Sequence, residues 1–479
     1  MSDEVTTVKP QRRWIGLVAA VAVAVAAGIA AVLTVDTESA PAGPSDAGSR
    51  ASAIQERWAD LEKHRKQMLT DLVAKRSAAL LAGDEAAWLA DIDPARAETV
   101  AFERTRFQNL RQLNPAFYRI IDQSSLVGGH DPAPLQTTAL VKQVLRLPED
   151  VRNSHNEYQW ELTVHDDRLV IGKVTERVLP VGHDPARRPA WDQTDLRSAR
   201  GDGAVVLSAR DSAWDPQTYL AAAERAAKLV RTYWGKRKGA TGFVVFLVDD
   251  EQFRGWFDND GVPMGGTTGV ALFPKMVDDE GVRYPTRPDT TLGLGATKKP
   301  RYLDRTAGTR ILLRMSKIKT MKYAEAVMAH EMAHALGPHL INGSSTDFSG
   351  DGATDQPSWA IEGFARYVEH KTEPGSAVKG AGFVRRNLRK YLPANGSFPT
   401  NANFYADDAS RTTFNYEIGA AFFLAAERAG NPQKAADLYV ALTNNSQLSS
   451  GLTVFIDQDM KAAGLNPDRV WAEFRKLVN

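Results

Sequence analysis

His330, Glu331 and His334 stand in the pattern H-E-x-x-H, as His330-Glu331-Met332-Ala333-His334, inside an otherwise apolar run from Tyr323 to Leu336. On a helix, residues four apart lie one turn apart on one face. Two imidazoles so placed can hold one Zn²⁺, and the intervening glutamate can serve as general base. The chemistry this composes is metal-assisted hydrolysis. With nine histidines in 479 residues, chance alone produces the pattern on the order of once per hundred chains of this composition. The context lowers that risk. Val327, His330 and His334 share a helical stripe, and Gly337-Pro338 directly after Leu336 supplies a helix stop.

A catalytic zinc needs a third protein ligand and keeps its fourth position open for water. The nearer candidate is His339, but only Pro338 separates it from Gly337, where the metzincin extension H-E-x-x-H-x-x-G-x-x-H needs two residues. No Met-turn surrounds Met460, the sole methionine after Met332. His339 therefore reads as a loop histidine beside the site. The other candidate is Glu362, in Trp359-Ala360-Ile361-Glu362-Gly363-Phe364-Ala365-Arg366-Tyr367-Val368-Glu369. Pro357 and Ser358 look like a helix start, and a carboxylate on a second helix completes a His₂Glu set.

This segment is similar to the W-L-N-E-G-F-A-x-Y-x-E signature of M1-type aminopeptidases, matching its Trp, Glu, Gly, Phe, Ala, Tyr and final Glu. With the two motifs in the expected order, Tyr323 to Glu369 resembles the gluzincin clan of metallopeptidases. The resemblance implies that His330, His334 and Glu362 are zinc ligands, that Glu331 is the general base, and that peptide bonds of a peptide or protein substrate are hydrolysed. It also implies a downstream tyrosine that stabilises the oxyanion, a role Tyr416 would take. Three departures set limits. About 27 residues separate His334 from Glu362, longer than in typical M1 enzymes, Ile361 replaces the signature asparagine, and no G-A-M-E-N-like segment is present to hold a free amino end. The broader name, an M1-like or peptidase MA-like gluzincin, is the one that fits. Glu369 reads as a solvent-facing helix charge, with orientation of a ligand histidine as the alternative.

Several elements must position these groups. In the gluzincin-like part, residues 201–479, strands are expected at Val205-Val206-Leu207, Phe243 to Val248, Gly269 to Phe273 and Arg310 to Met315. A helix capped by Asp215-Pro216 runs to Tyr233, and a mainly helical half follows Glu369 to Leu477. The clan places such a sheet above the cleft, where its edge strand can bind an extended substrate. Residues 54–200 begin with an amphipathic helix carrying Ile54, Trp58, Leu61, Met68, Leu72 and Leu80, closed by Ala82-Gly83-Asp84. Alternating strands follow at Tyr158 to Val164 and Arg168 to Val174. The fold class is α+β, and this first part resembles NTF2-like α+β cones; it shows no catalytic constellation. The loop from Asn342 to Gln356, with Asp347, Asp351 and Asp355, lacks EF-hand spacing and reads as solvated loop. The run Arg385 to Lys390 reads as an exposed helix face.

Upstream, Lys9, Arg12 and Arg13 in a stub of residues 1–13 precede an apolar stretch from Trp14 to Val35. That length crosses a hydrocarbon core of about 30 Å as a helix. The flanking charges stay in the cytoplasm, so a single-pass signal anchor would leave residues 36–479 outside the cell membrane. A cleaved signal peptide is the rival, but its apolar region is shorter and no A-x-A site follows Val35. Asp36 to Ala53 reads as a flexible tether. With no cysteine, disulfides, thiol catalysis and lipid anchoring through cysteine are excluded. A net charge of +1 leaves no electrostatic footprint for nucleic acid. Two other classes stay open: a surface binding or regulatory protein on a metallopeptidase fold, and a zinc hydrolase of another amide or ester.

Overall fold

The computed structural model describes residues 44–123, 127–128, 136–165, 168–176, 189–237, 239–257, 267–274, 276–281, 307–336, 357–392, 397–405, 408–443 and 455–479. The expected membrane segment, His339 and the loop from Asn342 to Gln356 lie outside them. Among the described residues no helix is long and apolar enough to cross a membrane. The architecture is mixed α+β with a helical C-terminal half. The chain divides into Met1–His64 and Arg65–Asn479, and the first part is helical from Pro44.

Helix α1, Pro44–Ala82, starts inside the stretch expected to be a tether. Proline suits a first helical turn, and Ala47, Arg50, Ala51 and Ala53 are good helix formers, so the low apolar content that suggested a tether does not prevent a helix. It ends at Gly83, whose φ of 76° is the left-handed stop that glycine accepts. Helices α2 (Glu85–Leu89) and α3 (Ala97–Leu113) follow. Strands β1 (Phe117–Asp122), β2 (Val127–Gly128), β3 (Gln136–Arg146), β4 (Asn153–His165) and β5 (Arg168–Glu176) pair antiparallel. Their alternation turns Tyr118, Ile120, Val141, Tyr158, Trp160 and Leu162 into a core with Leu72, Trp88 and Leu110.

That core holds charge at its centre. Arg76 pairs with Glu103, and Arg106 reaches Glu103 (3.3 Å), Gln143 (2.7 Å) and Asp192 (3.1 Å), all of them buried. Tyr158 donates to Asp192 at 2.6 Å. The Arg76 and Arg106 guanidinium carbons lie 4.0 and 3.9 Å from the ring centres of Trp88 and Tyr158. Two cations face two carboxylates, so the group is neutral as a whole, which burial requires.

Next come β6 (Leu196–Gly201), β7 (Ala204–Ala209), α4 (Pro216–Trp234), β8 (Phe243–Val248), α5 (Asp250–Phe257), β9 (Gly269–Leu272), β10 (Met276–Val277) and β11 (Arg310–Arg314). The second sheet runs β6-β7-β8-β11-β9, with β7, β8 and β11 parallel and β6 and β9 antiparallel to their neighbours. Strand β10 instead joins the first sheet, pairing with the start of β4. Every residue of β7 and β8 is buried, as expected for strands covered on both faces. Val205, Leu207, Val244, Phe246 and Leu312 face the first core, whereas Val206, Val245, Leu247, Ile311 and Leu313 face a second. This second core is shared with helices α4, α6 (Met321–Leu336), α7 (Ser358–Glu369), α8 (Ser376–Tyr391), α9 (Asn401–Phe404), α10 (Ala409–Ala429), α11 (Pro432–Thr443), α12 (Ile456–Ala462) and α13 (Pro467–Val478).

Candidate metal centre

Helix α6 starts where the Thr320 hydroxyl accepts the Tyr323 N–H at 3.1 Å, a cap that satisfies an orphan donor of the first turn. Ala324, Met328, Met332 and Ala335 are fully buried in the second core. Because α6 thus has a fixed apolar stripe, His330 and His334 are held on a neighbouring stripe that meets α7. Helix α7 is anchored by Trp359, which stacks on Phe398 at 4.1 Å, and by the Ser358 N–H, which donates to Asn401 Oδ1 at 2.8 Å. Gly363 then lets the backbones of α7 and α10 touch: a Cβ there would lie 2.6 Å from Gly419 Cα. Glu362 is carried to the two histidines by this packing.

The structure brings His330, His334 and Glu362 together. His330 Nε2 and His334 Nε2 are 3.2 Å apart, and each is 3.3 Å from Glu362 Oε2. A tetrahedral zinc with bonds of about 2.0–2.1 Å has ligand-to-ligand edges of about 3.3 Å, so this triangle has the size of one zinc face. The donor set fits a zinc ion in composition as well as in size. Glu369 holds the opposite side of the first ring, its Oε2 lying 3.0 Å from His330 Nδ1. With a metal on the Nε2 side, a carboxylate there would keep the ring's remaining proton on Nδ1 and leave the Nε2 lone pair for the ion. Glu369 therefore does not face solvent as the helix pattern suggested; its side chain is 12% exposed.

The charges agree with a site built for a cation. Burial alone would lower the His330 pKa, yet the hydrogen bonds to Glu362 and Glu369 outweigh it and push it up to about 10. Burial works against the Glu369 anion too, but His330 and Arg366 hold its pKa down at about 2. Glu362, despite its burial, is held well below the usual carboxylate range by the two histidines. Glu331 goes the other way: burial raises its pKa, with the histidines opposing, and a raised carboxylate pKa suits a group that must accept and return a proton near neutral pH.

No protein-family model matches the chain, and no curated protein matches it. Among solved structures it is similar to an M1 zinc metallopeptidase from Deinococcus radiodurans, at 10% identity and a TM-score of 0.32 over 72% of this chain and 90% of that one. A mutant of an M1 zinc metallopeptidase from the same organism aligns at 12% identity and a TM-score of 0.31 over 76% of this chain. The alignment spans only 62% of the mutant's own length. Rv3472 from Mycobacterium tuberculosis, a protein described as of unknown function, aligns in variant form at 15% identity and a TM-score of 0.22, over 29% of this chain and 85% of that one.

Tyr416 comes close to the three-residue group, its ring centre 6.0 Å from that of His330. Burial first, and then the Glu362 charge, raise its pKa well above the ordinary phenol value, so its hydroxyl stays a proton donor. Tyr405 was not expected at the site. It donates to Glu362 Oε1 at 2.6 Å and interacts with Tyr416. Nothing in Asn403-Phe404-Tyr405 marks it, because a lone tyrosine after a short helix carries no spacing. Gly269 was likewise unmarked. It opens strand β9, an edge of its sheet among the described residues, directly against Glu331 and Val327, where a Cβ would come within 2.9 Å of both side chains.

Proposed function

We propose that this chain is a gluzincin-type zinc metallopeptidase that hydrolyses peptide bonds. The observation that carries the reading is the triangle of His330 Nε2, His334 Nε2 and Glu362 Oε2, with edges of 3.2–3.3 Å. When bound there, zinc supplies positive charge that polarises a carbonyl and acidifies water. The protein's residues do the rest. Glu331 takes the proton of the attacking water and passes it to the leaving amine, and its burial tunes it for both steps. Tyr416, kept protonated, donates to the oxygen on which charge develops. Among the described residues β9 is the edge of its sheet and abuts Glu331 through Gly269, which supports a substrate bound as an extended strand. With Trp14 to Val35 as signal anchor, the site would work outside the cell membrane, and residues 54–200 would serve as an NTF2-like spacer or regulatory module.

The test is metal analysis of the purified full chain, together with cleavage of a mixed peptide library by wild type and Glu331→Gln. One zinc per chain is expected, with cleavage by the wild type and none by a Glu331→Gln protein that still holds its zinc. Glu362→Ala should strip the metal and His339→Ala should not; the reverse would overturn the ligand assignment. A wild type that binds zinc and cleaves nothing would favour the binding-protein alternative.

A further inference from the structure

Glu369 and Tyr416 sit on different helices, and one guanidinium joins those helices. Arg366 Nη1 pairs with Glu369 Oε1, while Arg366 Nε and Nη2 each lie 2.8 Å from Glu417 Oε1. Glu417 directly follows Tyr416 on α10. Its second oxygen is 2.8 Å from His370 Nε2, and His370 Nδ1 is 2.7 Å from the Ser376 hydroxyl. The polar chain thus runs from the candidate ligand His330 through Glu369, Arg366, Glu417 and His370 to the start of α8. Tight backbone packing encloses it: a Cβ on Gly380 would overlap Glu417 Oε2 at 2.1 Å, and one on Gly419 would lie 2.3 Å from the Trp359 carbonyl oxygen. Glu417 is buried, at 4% exposure, so without Arg366 two carboxylates would face each other across the α7–α10 contact at high cost.

We propose that Arg366 and Glu417 are positioning residues for the metal centre: Arg366 fixes the Glu369 carboxylate that orients His330, and Glu417 ties that fork to the helix carrying Tyr416. The inference rests on the zinc reading above. Neither residue touches a ligand atom of the metal triangle, so effects on metal binding must travel through Glu369, whereas effects on Tyr416 must travel along α10. A planar fork can serve both carboxylates at once, and a lysine ammonium cannot reproduce that geometry.

The experiment measures zinc affinity by chelator competition, and kcat and KM separately, on the full chain and its variants. Glu369→Gln should weaken zinc on the order of 10–100-fold. Glu417→Gln and Arg366→Met, one step further out, should weaken it by up to about tenfold. Added to Glu369→Gln, Glu417→Gln should cost no further zinc affinity, because the route through Glu369 is already broken. It should still lower kcat with little change in KM, because Tyr416 is displaced. Arg366→Lys should restore less than the native residue. Should Arg366→Met not fold, the isosteric Glu417→Gln carries the test. Unchanged zinc affinity and kcat in these variants, with only a lower Tm, would reduce the network to a structural ion cluster and overturn the inference alone. A wild type that binds no zinc would overturn the metal reading and this inference with it.

Discussion

Gly269→Ala is the smallest change that should separate metal binding from catalysis. The new Cβ would stand 2.9 Å from Glu331 Oε1, 2.9 Å from Val327 Cγ1 and 3.0 Å from Glu331 Cγ. Optimal separations between carbon atoms are about 3.5–4.0 Å, so roughly 0.5–1 Å of retreat is required. The strand cannot supply it freely, because Gly269 is in register with Leu313 of β11, whose residues from Arg310 to Leu313 are buried. The Val327 side of α6 is buried as well. The flexible Glu331 carboxylate is the group left to move. A misplacement of about 1 Å in a catalytic group costs on the order of 10²-fold in rate, and overpacking costs about 1–3 kcal/mol of stability. None of the three atoms nearest the new methyl belongs to His330, His334 or Glu362. The expected outcome is therefore kcat/KM down on the order of 10²-fold, with one zinc per chain retained and a modest fall in Tm. Peptide cleavage kinetics, metal content and a thermal melt on the same preparation check it. Wild-type turnover with zinc retained would refute the reasoning, showing either that β9 yields or that Glu331 is not the base.

Four other variants test neighbouring parts of the structure. Tyr416→Phe should lower kcat roughly 10²–10³-fold with zinc retained, the cost of removing an oxyanion donor, whereas Tyr405→Phe should chiefly weaken zinc, since it removes the donor to Glu362. A kcat loss in Tyr405→Phe alone would transfer the oxyanion role to Tyr405. Burial disfavours the Glu417 anion, but His370 and Arg366 outweigh it and lower its pKa below the model-compound value of 4.5. Its stabilising contribution is therefore fully present above that pH and is lost as pH falls through the lower folded pKa. Urea melts between about pH 5 and pH 2 should show a shallower acid decline for Glu417→Gln than for wild type; equal slopes would reject the linkage. In the first core, Arg76→Met leaves two buried carboxylates, Glu103 and Asp192, to the single guanidinium of Arg106 and should cost about 3–5 kcal/mol in urea unfolding, where a loss under about 1 kcal/mol would show that Arg106 compensates alone.

What was legible in the sequence was whatever repeats at a fixed short interval. H-E-x-x-H is read because one helical turn brings His330 and His334 to one face, and Glu362 is read because its neighbours from Trp359 to Glu369 match a signature. The unbroken apolar run Phe243 to Val248 reads as a strand because it is short and bounded. Illegible were the contacts set by packing between elements distant in the chain. Glu369 looked like a surface charge because its helical pattern says only which stripe it occupies, and the α6–α7 contact decides that this stripe is dry. Arg366 and Glu417 are 51 positions apart, and only the Gly363–Gly419 approach puts them within reach. Tyr405 has no local grammar at all, and Gly269 is legible only as the start of a strand; the first matters through one hydrogen bond and the second through a missing methyl group. The ligands of a metal centre can thus be found by spacing, whereas the groups that aim those ligands are found only once the helices are packed. It follows that the residues least visible in the sequence, Arg366, Glu417 and Gly269, are the ones whose substitution should change the quality of the centre without removing any ligand from it.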